Sequence, residues 1–173
     1  MSEAEKLESK QVFKGTVFSI DRDRVRMPNG RAVTVDVVRH SQSVVLVPVP
    51  EPGKLILVRQ YRYAVNAFLW ELPAGSVDAG ESPEDAARRE CHEEIELVPS
   101  TIVRLGAMYP TPGYCDEEMI FFRLSGLEKT EEKAAVDEDE DIEVKVFELR
   151  DVREMMRRGE ITDMKTIVGL TLL

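Results

Sequence analysis

The chain has 173 residues, 43% of them hydrophobic, and a formal net charge of −10, which fits one domain with a sizeable core and is too short for two full ones. The acidic excess argues against nucleic acid as a general partner, because a phosphate backbone is met by clustered Lys and Arg, and no stretch approaches the apolar length that a bilayer span needs. Two cysteines, Cys91 and Cys115, lack the spacing of a zinc site or a disulfide framework, and the polar opening lacks a signal-peptide core, so the expected setting is the reducing cytoplasm.

In chain order, Val12 to Ile20 and Arg24 to Met27 read as strands, and Pro28-Asn29-Gly30 supplies a turn before the run Ala32 to Val38. These make a small N-terminal β unit over residues 1–40, ahead of a main domain over residues 41–173. Ser43 to Val49 and Lys54 to Tyr61 are β-branched runs separated by Pro50-Glu51-Pro52-Gly53, and the two are expected to pair antiparallel. Ser82-Pro83-Glu84-Asp85 opens a helix, with serine as N-cap, proline at the first helical position and an acid three residues beyond the cap. It should run to about Ile95. Ile102 to Met108 and Met119 to Leu124 follow as strands around a loop shaped by Pro110, Pro112 and Gly113. Residues 129–141 are charged and weakly periodic, which in isolation reads as solvated loop. Ile142 to Leu149 returns to strand alternation, Asp151 is placed to cap a short helix ending before Gly159, and Thr162 or Asp163 to open a terminal one. Pattern alone gives a mixed α and β domain.

The first helix carries the chemistry. Glu90, Glu93 and Glu94 fall within an arc of about 100°, and like charges three and four apart repel on a helix, so something must balance them. Carboxylate oxygens suit a hard cation, and Mg²⁺ is usually held by one or two carboxylates together with phosphates and water. A Glu-rich helix in an acidic chain is also an ordinary solvated face, the alternative for any one of these residues. What separates the two readings is the fixed spacing of Gly75, Glu81, Arg89, Glu90, Glu93 and Glu94.

That spacing resembles the Nudix box: Gly, five residues, Glu, seven residues, Arg-Glu, an apolar residue, any residue, Glu-Glu, any residue, Gly and an apolar residue. One position departs, because Glu96 stands where the box has its last glycine. A glycine there would serve as a C-terminal cap at positive φ, so Glu96 either carries strain or lets the helix exit differently. The resemblance implies an α/β fold, an α/β/α sandwich with a mixed sheet. It continues into the ADP-ribose pyrophosphatase branch through Val37-Val38-Arg39-His40, Leu57 to Arg62, Glu71-Leu72-Pro73-Ala74-Gly75 and Tyr109 to Gly113. Pro112 lies fifteen residues after Leu97, where that branch is marked by a proline.

The resemblance implies that the Ala74 carbonyl and the carboxylates of Glu90 and Glu94 hold Mg²⁺, or Mn²⁺ in its place, with Glu93 supporting a further ion. Glu81 would pair with Arg89 instead of the catalytic metal, and Gly75 would be structural. Glu138 is the first choice for the group that orients or deprotonates the attacking water, grouped with Glu93 and Arg89 as catalytic, and Glu140 is the fallback if the loop register differs by two. A plain acidic loop is the other reading of residues 137–141. Arg62 corresponds to an arginine that meets the substrate's phosphate or terminal ribose, and Arg39, Asp36, Pro112 and Gly113 complete the implied substrate contacts. Val35-Asp36 stands where relatives often show an Arg-Glu pair near adenine. Asp36 can accept a hydrogen bond from an exocyclic amine, whereas Val35 supplies no guanidinium.

The expected activity is therefore metal-dependent hydrolysis of a nucleoside diphosphate linked to a second group, with ADP-ribose giving AMP and ribose 5-phosphate. Another nucleotide-sugar or dinucleotide pyrophosphatase, a non-catalytic ADP-ribose sensor and a purely structural interaction protein are the competing readings. In the branch resembled here the N-terminal strands are commonly exchanged between two subunits, which implies a homodimer.

Overall fold

A computed structural model describes residues 3–130 and 142–173. They group into two units, one comprising the chain up to Gln42 together with Tyr109–Glu118, the other Ser43–Met108 with Met119–Leu173.

The first unit is an antiparallel meander of β1 (Glu5–Lys14), β2 (Phe18–Arg26) and β3 (Ala32–His40). The polar opening thus becomes a strand, and the run expected from Val12 to Ile20 is broken at a turn where the Gly15 N–H donates to the Phe18 carbonyl at 2.9 Å. Charge complementarity across the strands explains β1: Arg26 meets Glu5 at 3.1 Å, and Ser9 donates to Asp23 at 2.5 Å. An exposed pair such as Arg26–Glu5 contributes little stability, but opposite charges directly across a ladder select its register. The loop from Tyr109 joins the unit by backbone: the Val38 N–H donates to the Tyr114 carbonyl at 2.7 Å and the Asp116 N–H to the Val38 carbonyl at 3.1 Å.

The second unit contains β4 (Ser43–Pro48), β5 (Lys54–Arg62), β6 (Ala67–Glu71), β7 (Ala74–Ser76), α1 (Pro83–Ile95), β8 (Leu97–Met108), β9 (Met119–Lys129), β10 (Glu143–Glu148), α2 (Leu149–Arg157) and α3 (Met164–Thr171). Its strands form a mixed sheet β7-β4-β9-β8, in which β4 and β9 run parallel, and an antiparallel sheet β10-β5-β6. The expected β4–β5 hairpin does not form. Both edges of β4 are taken, by β7 and β9, and both edges of β5, by β10 and β6.

Strands buried on both faces read as continuous apolar runs, and every residue of β4 is buried. Alternation sorts them into two cores. Val44, Leu46, Ile56, Val58, Ile120 and Phe122 pack with Ala86, Ala87, Cys91 and Ile95 of α1. Val45, Val47, Leu55, Leu57 and Phe121 pack with Val152 and Met155 of α2 and Leu170 of α3. Helices on both sides of the strand layer make this an α/β/α sandwich, and each fully buried large aliphatic or aromatic side chain stabilises it by about 1.5–3 kcal/mol.

Helix ends follow their capping residues. Ser82 accepts from the Asp85 N–H at 3.2 Å, with Pro83 at the first helical position. Asp163 caps α3 by accepting from the Thr166 N–H at 2.9 Å. Asp151 does not cap α2: the helix starts earlier, at Leu149, and leaves Asp151 in the first turn facing the helix dipole. Glu96 itself closes α1 at φ 55° and ψ 30°, its N–H donating to the His92 carbonyl at 3.1 Å.

A left-handed residue with a side chain costs about 1–2 kcal/mol, less the extra unfolded-state entropy of glycine, about 0.5–1 kcal/mol. Glu96→Gly should therefore stabilise the protein by up to about 1 kcal/mol, read as a higher urea midpoint at unchanged m-value. A lower midpoint would mean that the helix exit carries no such strain.

Candidate active site

The site is assembled where α1 lies against β7. Backbone bonds pin the approach to that strand: the Leu46 N–H donates to the Pro73 carbonyl at 2.8 Å, and Val45 and Val44 pair with Ala74 and Gly75. Gly75 is required for space. A Cβ built on it would lie 1.9 Å from Glu90 Cδ and within 2.2 Å of both carboxylate oxygens, so the Glu90 carboxylate rests directly on the Gly75 backbone. One turn along α1, Glu94 Oε1 accepts from the Ala74 N–H at 3.3 Å. Two carboxylates are thereby held against the backbone of residues 74 and 75.

Arg89 organises the remaining acids. Its Nε and Nη2 donate to the two oxygens of Glu81 at 3.0 Å each, its Nη1 to Glu90 and Glu93 at 2.7 Å each, and its Nη2 also to the Ser76 carbonyl at 2.9 Å. The bidentate Glu81 bond is the main reason the guanidinium is held above its ordinary pKa, and Arg89 in turn holds the Glu81 carboxyl below its own. The Asp78 N–H adds a bond to Glu81 at 3.1 Å, closing the loop between β7 and α1.

Three glutamates thus meet one guanidinium while Glu94 meets the Ala74 N–H, and their hard oxygens fit a divalent cation of the Mg²⁺ type. Among the described residues no three His, Cys, Asp or Glu side chains already form a ligating group. The donors on offer are two carboxylates set against a backbone strand, a partial shell of the kind Mg²⁺ completes with phosphate and water.

Arg62, the last residue of β5, reaches the end of β6, just ahead of β7. Its Nε and Nη2 donate to the two oxygens of Glu71 at 3.0 and 2.8 Å, and the Glu94 carboxylate also acts on it electrostatically. Glu71 is buried and also accepts from the Lys165 ammonium. Burial pushes the Glu71 carboxyl up, but Arg62 and Lys165 outweigh it and hold the group below its ordinary pKa.

The other expected substrate residues belong to the first unit. Arg39 donates to Asp21 at 3.1 Å, Asp23 at 2.5 Å and Asp116 at 3.0 Å. Asp36 is engaged bidentately by Arg22 at 2.7 and 3.0 Å, which lowers its pKa. Pro112 and Gly113 lie in a turn closed by the Tyr114 and Cys115 N–H groups donating to the Thr111 carbonyl at 3.2 and 3.0 Å. Glu138 and Glu140 lie outside the described residues. Sequence reading assigned no role to Glu71, although it sits in a quoted motif, and missed Lys165. The available signal was a charged residue opening an otherwise apolar α3. An open cleft of about 420 Å³ lined by Trp70, Lys145, Phe147, Asp151, Glu154 and Arg158 shares no residue with the box.

Residues 39–166 match the NUDIX domain. The chain is 33% identical over 171 residues to an ADP-ribose pyrophosphatase of Bacillus subtilis, covering 99% of this chain and 92% of that protein. It is 35% identical over 167 residues to an ADP-ribose pyrophosphatase of Mycobacterium tuberculosis, covering 96% and 81%. In fold it is similar to the crystal structure of an ADP compounds hydrolase, with a TM-score of 0.86 at 21% identity over 99% of this chain and 92% of that one.

Because Glu90 is a flexible side chain, Gly75→Ala should fold with a melting temperature within a few degrees of the parent, while the displaced carboxylate lowers Mn²⁺ affinity by about 10–100-fold. Calorimetric Mn²⁺ titration checks this, and unchanged affinity would separate Glu90 from cation binding.

Proposed function

The chain belongs to the NUDIX domain family, and from that premise we propose that it is a Mg²⁺-dependent pyrophosphohydrolase that splits ADP-ribose into AMP and ribose 5-phosphate. The observation that carries the reading is the seating of Glu90 and Glu94 on the backbone of Ala74 and Gly75. Glu90, Glu94 and the Ala74 carbonyl would hold the cation, with Glu93 supporting a further one and Mn²⁺ able to substitute. When bound, the metal supplies charge neutralisation at the diphosphate and makes water a better nucleophile.

The chain's own groups do the rest. Arg89 fixes the orientation of Glu90 and Glu93 through Nη1. Arg62, partly open to solvent, offers a guanidinium to the diphosphate, a geometry in which Arg is favoured over Lys. Water oxygen bonds to one phosphorus, the bridging P–O bond breaks, and Glu138 takes the proton that the water gives up, with Glu140 as the other candidate. Within residues 1–40, Asp36 and Arg39, together with the Pro112-Gly113 turn, contact the base and ribose, and the same unit joins two copies into a homodimer. The working compartment is the cytoplasm. No helix among the described residues is long and apolar enough to cross a membrane.

A second reading, a pyrophosphatase for another nucleotide sugar or a dinucleotide, is favoured by one feature. The Asp36 carboxylate is already engaged by Arg22, and Val35 beside it supplies no donor for a base.

Purified protein with Mg²⁺ should release AMP from ADP-ribose faster than nucleoside monophosphate from GDP-sugars, dinucleotides or NADH, and chelation should abolish turnover. Glu90→Gln and Glu94→Gln should each lower kcat on the order of 10²-fold or more. Glu138→Gln should lower kcat by about 10²–10⁴-fold with KM little changed. No nucleoside monophosphate from any member of the panel would refute the hydrolase reading.

A further inference from the structure

Helix α3 begins beside the link from β6 to β7, at Glu71 and Leu72. Asp163 accepts from the Thr166 N–H at 2.9 Å and from its hydroxyl at 2.6 Å, and the same hydroxyl accepts from the buried Leu72 N–H at 2.7 Å. Lys165 lies between these clamps with 8% of its surface exposed. Its ammonium donates to Glu71 Oε2 and stands 3.2 Å from Asp163 Oδ2. Taking a lysine out of water costs several kcal/mol unless it is well paired, and neither the box nor its cation uses this one.

The pair of Glu71 and Arg62 would be neutral without Lys165. What Lys165 adds is a cation between two carboxylates, Glu71 and Asp163. Remove it and Glu71 keeps Arg62 as its cationic partner but loses the contact that fixes its Oε2 end and joins it to Asp163, so the carboxylate is held less firmly in place. A loosened carboxylate no longer presents both oxygens in one fixed plane to Arg62 Nε and Nη2. Arg62 in turn is the part of this chain of contacts that reaches outward, with 42% of its side chain exposed.

We propose that Lys165 is a positioning residue of the hydrolase site: through Glu71 it fixes the Arg62 guanidinium in the orientation that receives the substrate's diphosphate. The proposal rests on the hydrolase reading given above. A planar guanidinium recognises phosphate through direction as well as charge, so a loosened Arg62 weakens substrate binding before it alters the chemical step.

The test compares Lys165→Met, Lys165→Gln, Lys165→Arg, Arg62→Ala and the double variant Arg62→Ala/Lys165→Met, with steady-state kinetics on ADP-ribose, melting temperatures and ¹⁵N NMR of the Arg62 Nε–Hε group. Lys165→Met should raise KM by about tenfold or more while kcat stays within about twofold, the pattern of lost uniform binding. Lys165→Arg should restore KM. On the Arg62→Ala background the Lys165 change should add nothing, since both act through one guanidinium, and Arg62 Hε should exchange faster in Lys165→Met than in the parent. Unchanged KM and exchange in folded Lys165→Met, or additive effects in the double variant, would overturn the proposal. If the Met variant does not fold, the Gln variant carries the same readouts, and loss of fold in both would assign Lys165 a structural role instead. A parent enzyme that cleaves no substrate refutes the hydrolase reading alone, because Hε exchange needs no turnover and still decides whether Lys165 holds Arg62.

Discussion

The close seating of α1 on β7 is the constraint on which the site depends. A helix can bring a glutamate carboxylate onto a strand backbone only if the strand residue beneath it has no side chain, and Gly75 supplies that gap under Glu90. Glu94, one turn on, then falls beside the Ala74 N–H. The arrangement concentrates negative charge, and Arg89 offsets part of it while clamping Glu81, Glu90, Glu93 and the Ser76 carbonyl into one frame. The remaining charge is what makes a cation welcome.

The rest of the second unit holds that seat rigid. Strands β4, β5 and β9 place alternate residues in two separate cores, so α1 is packed from one side while α2 and α3 close the other. The approach to β7 is held from both sides: Leu46 bonds the Pro73 carbonyl, and Thr166 of α3 accepts the Leu72 N–H. Helix α3 therefore contributes both a core wall and the polar anchor that ends in Glu71 and Arg62.

Much of this was legible in the sequence where the signals are local. The start of α1 followed from Ser82 and Pro83, that of α3 was narrowed to Thr162 or Asp163, of which Asp163 is the cap, and of the two exits open to Glu96 the chain takes the left-handed one. The parts that were not legible depend on distant partners. β4 reads like half of a hairpin, but its edges go to β7 and to a parallel strand far along the chain, a choice that no local pattern encodes. β1 lacks apolar alternation because cross-strand charges such as Arg26–Glu5 specify it. Lys165 looks like any solvated lysine in a first helical turn, and only folding brings it to Glu71, ninety-four positions away.

Diffraction at the manganese absorption edge from crystals grown with Mn²⁺ tests the central claim most directly. The account predicts an anomalous peak bounded by the Glu90 and Glu94 carboxylates and the Ala74 carbonyl oxygen. A peak elsewhere, or a cation at α1 that touches neither Glu90 nor Glu94, would contradict it.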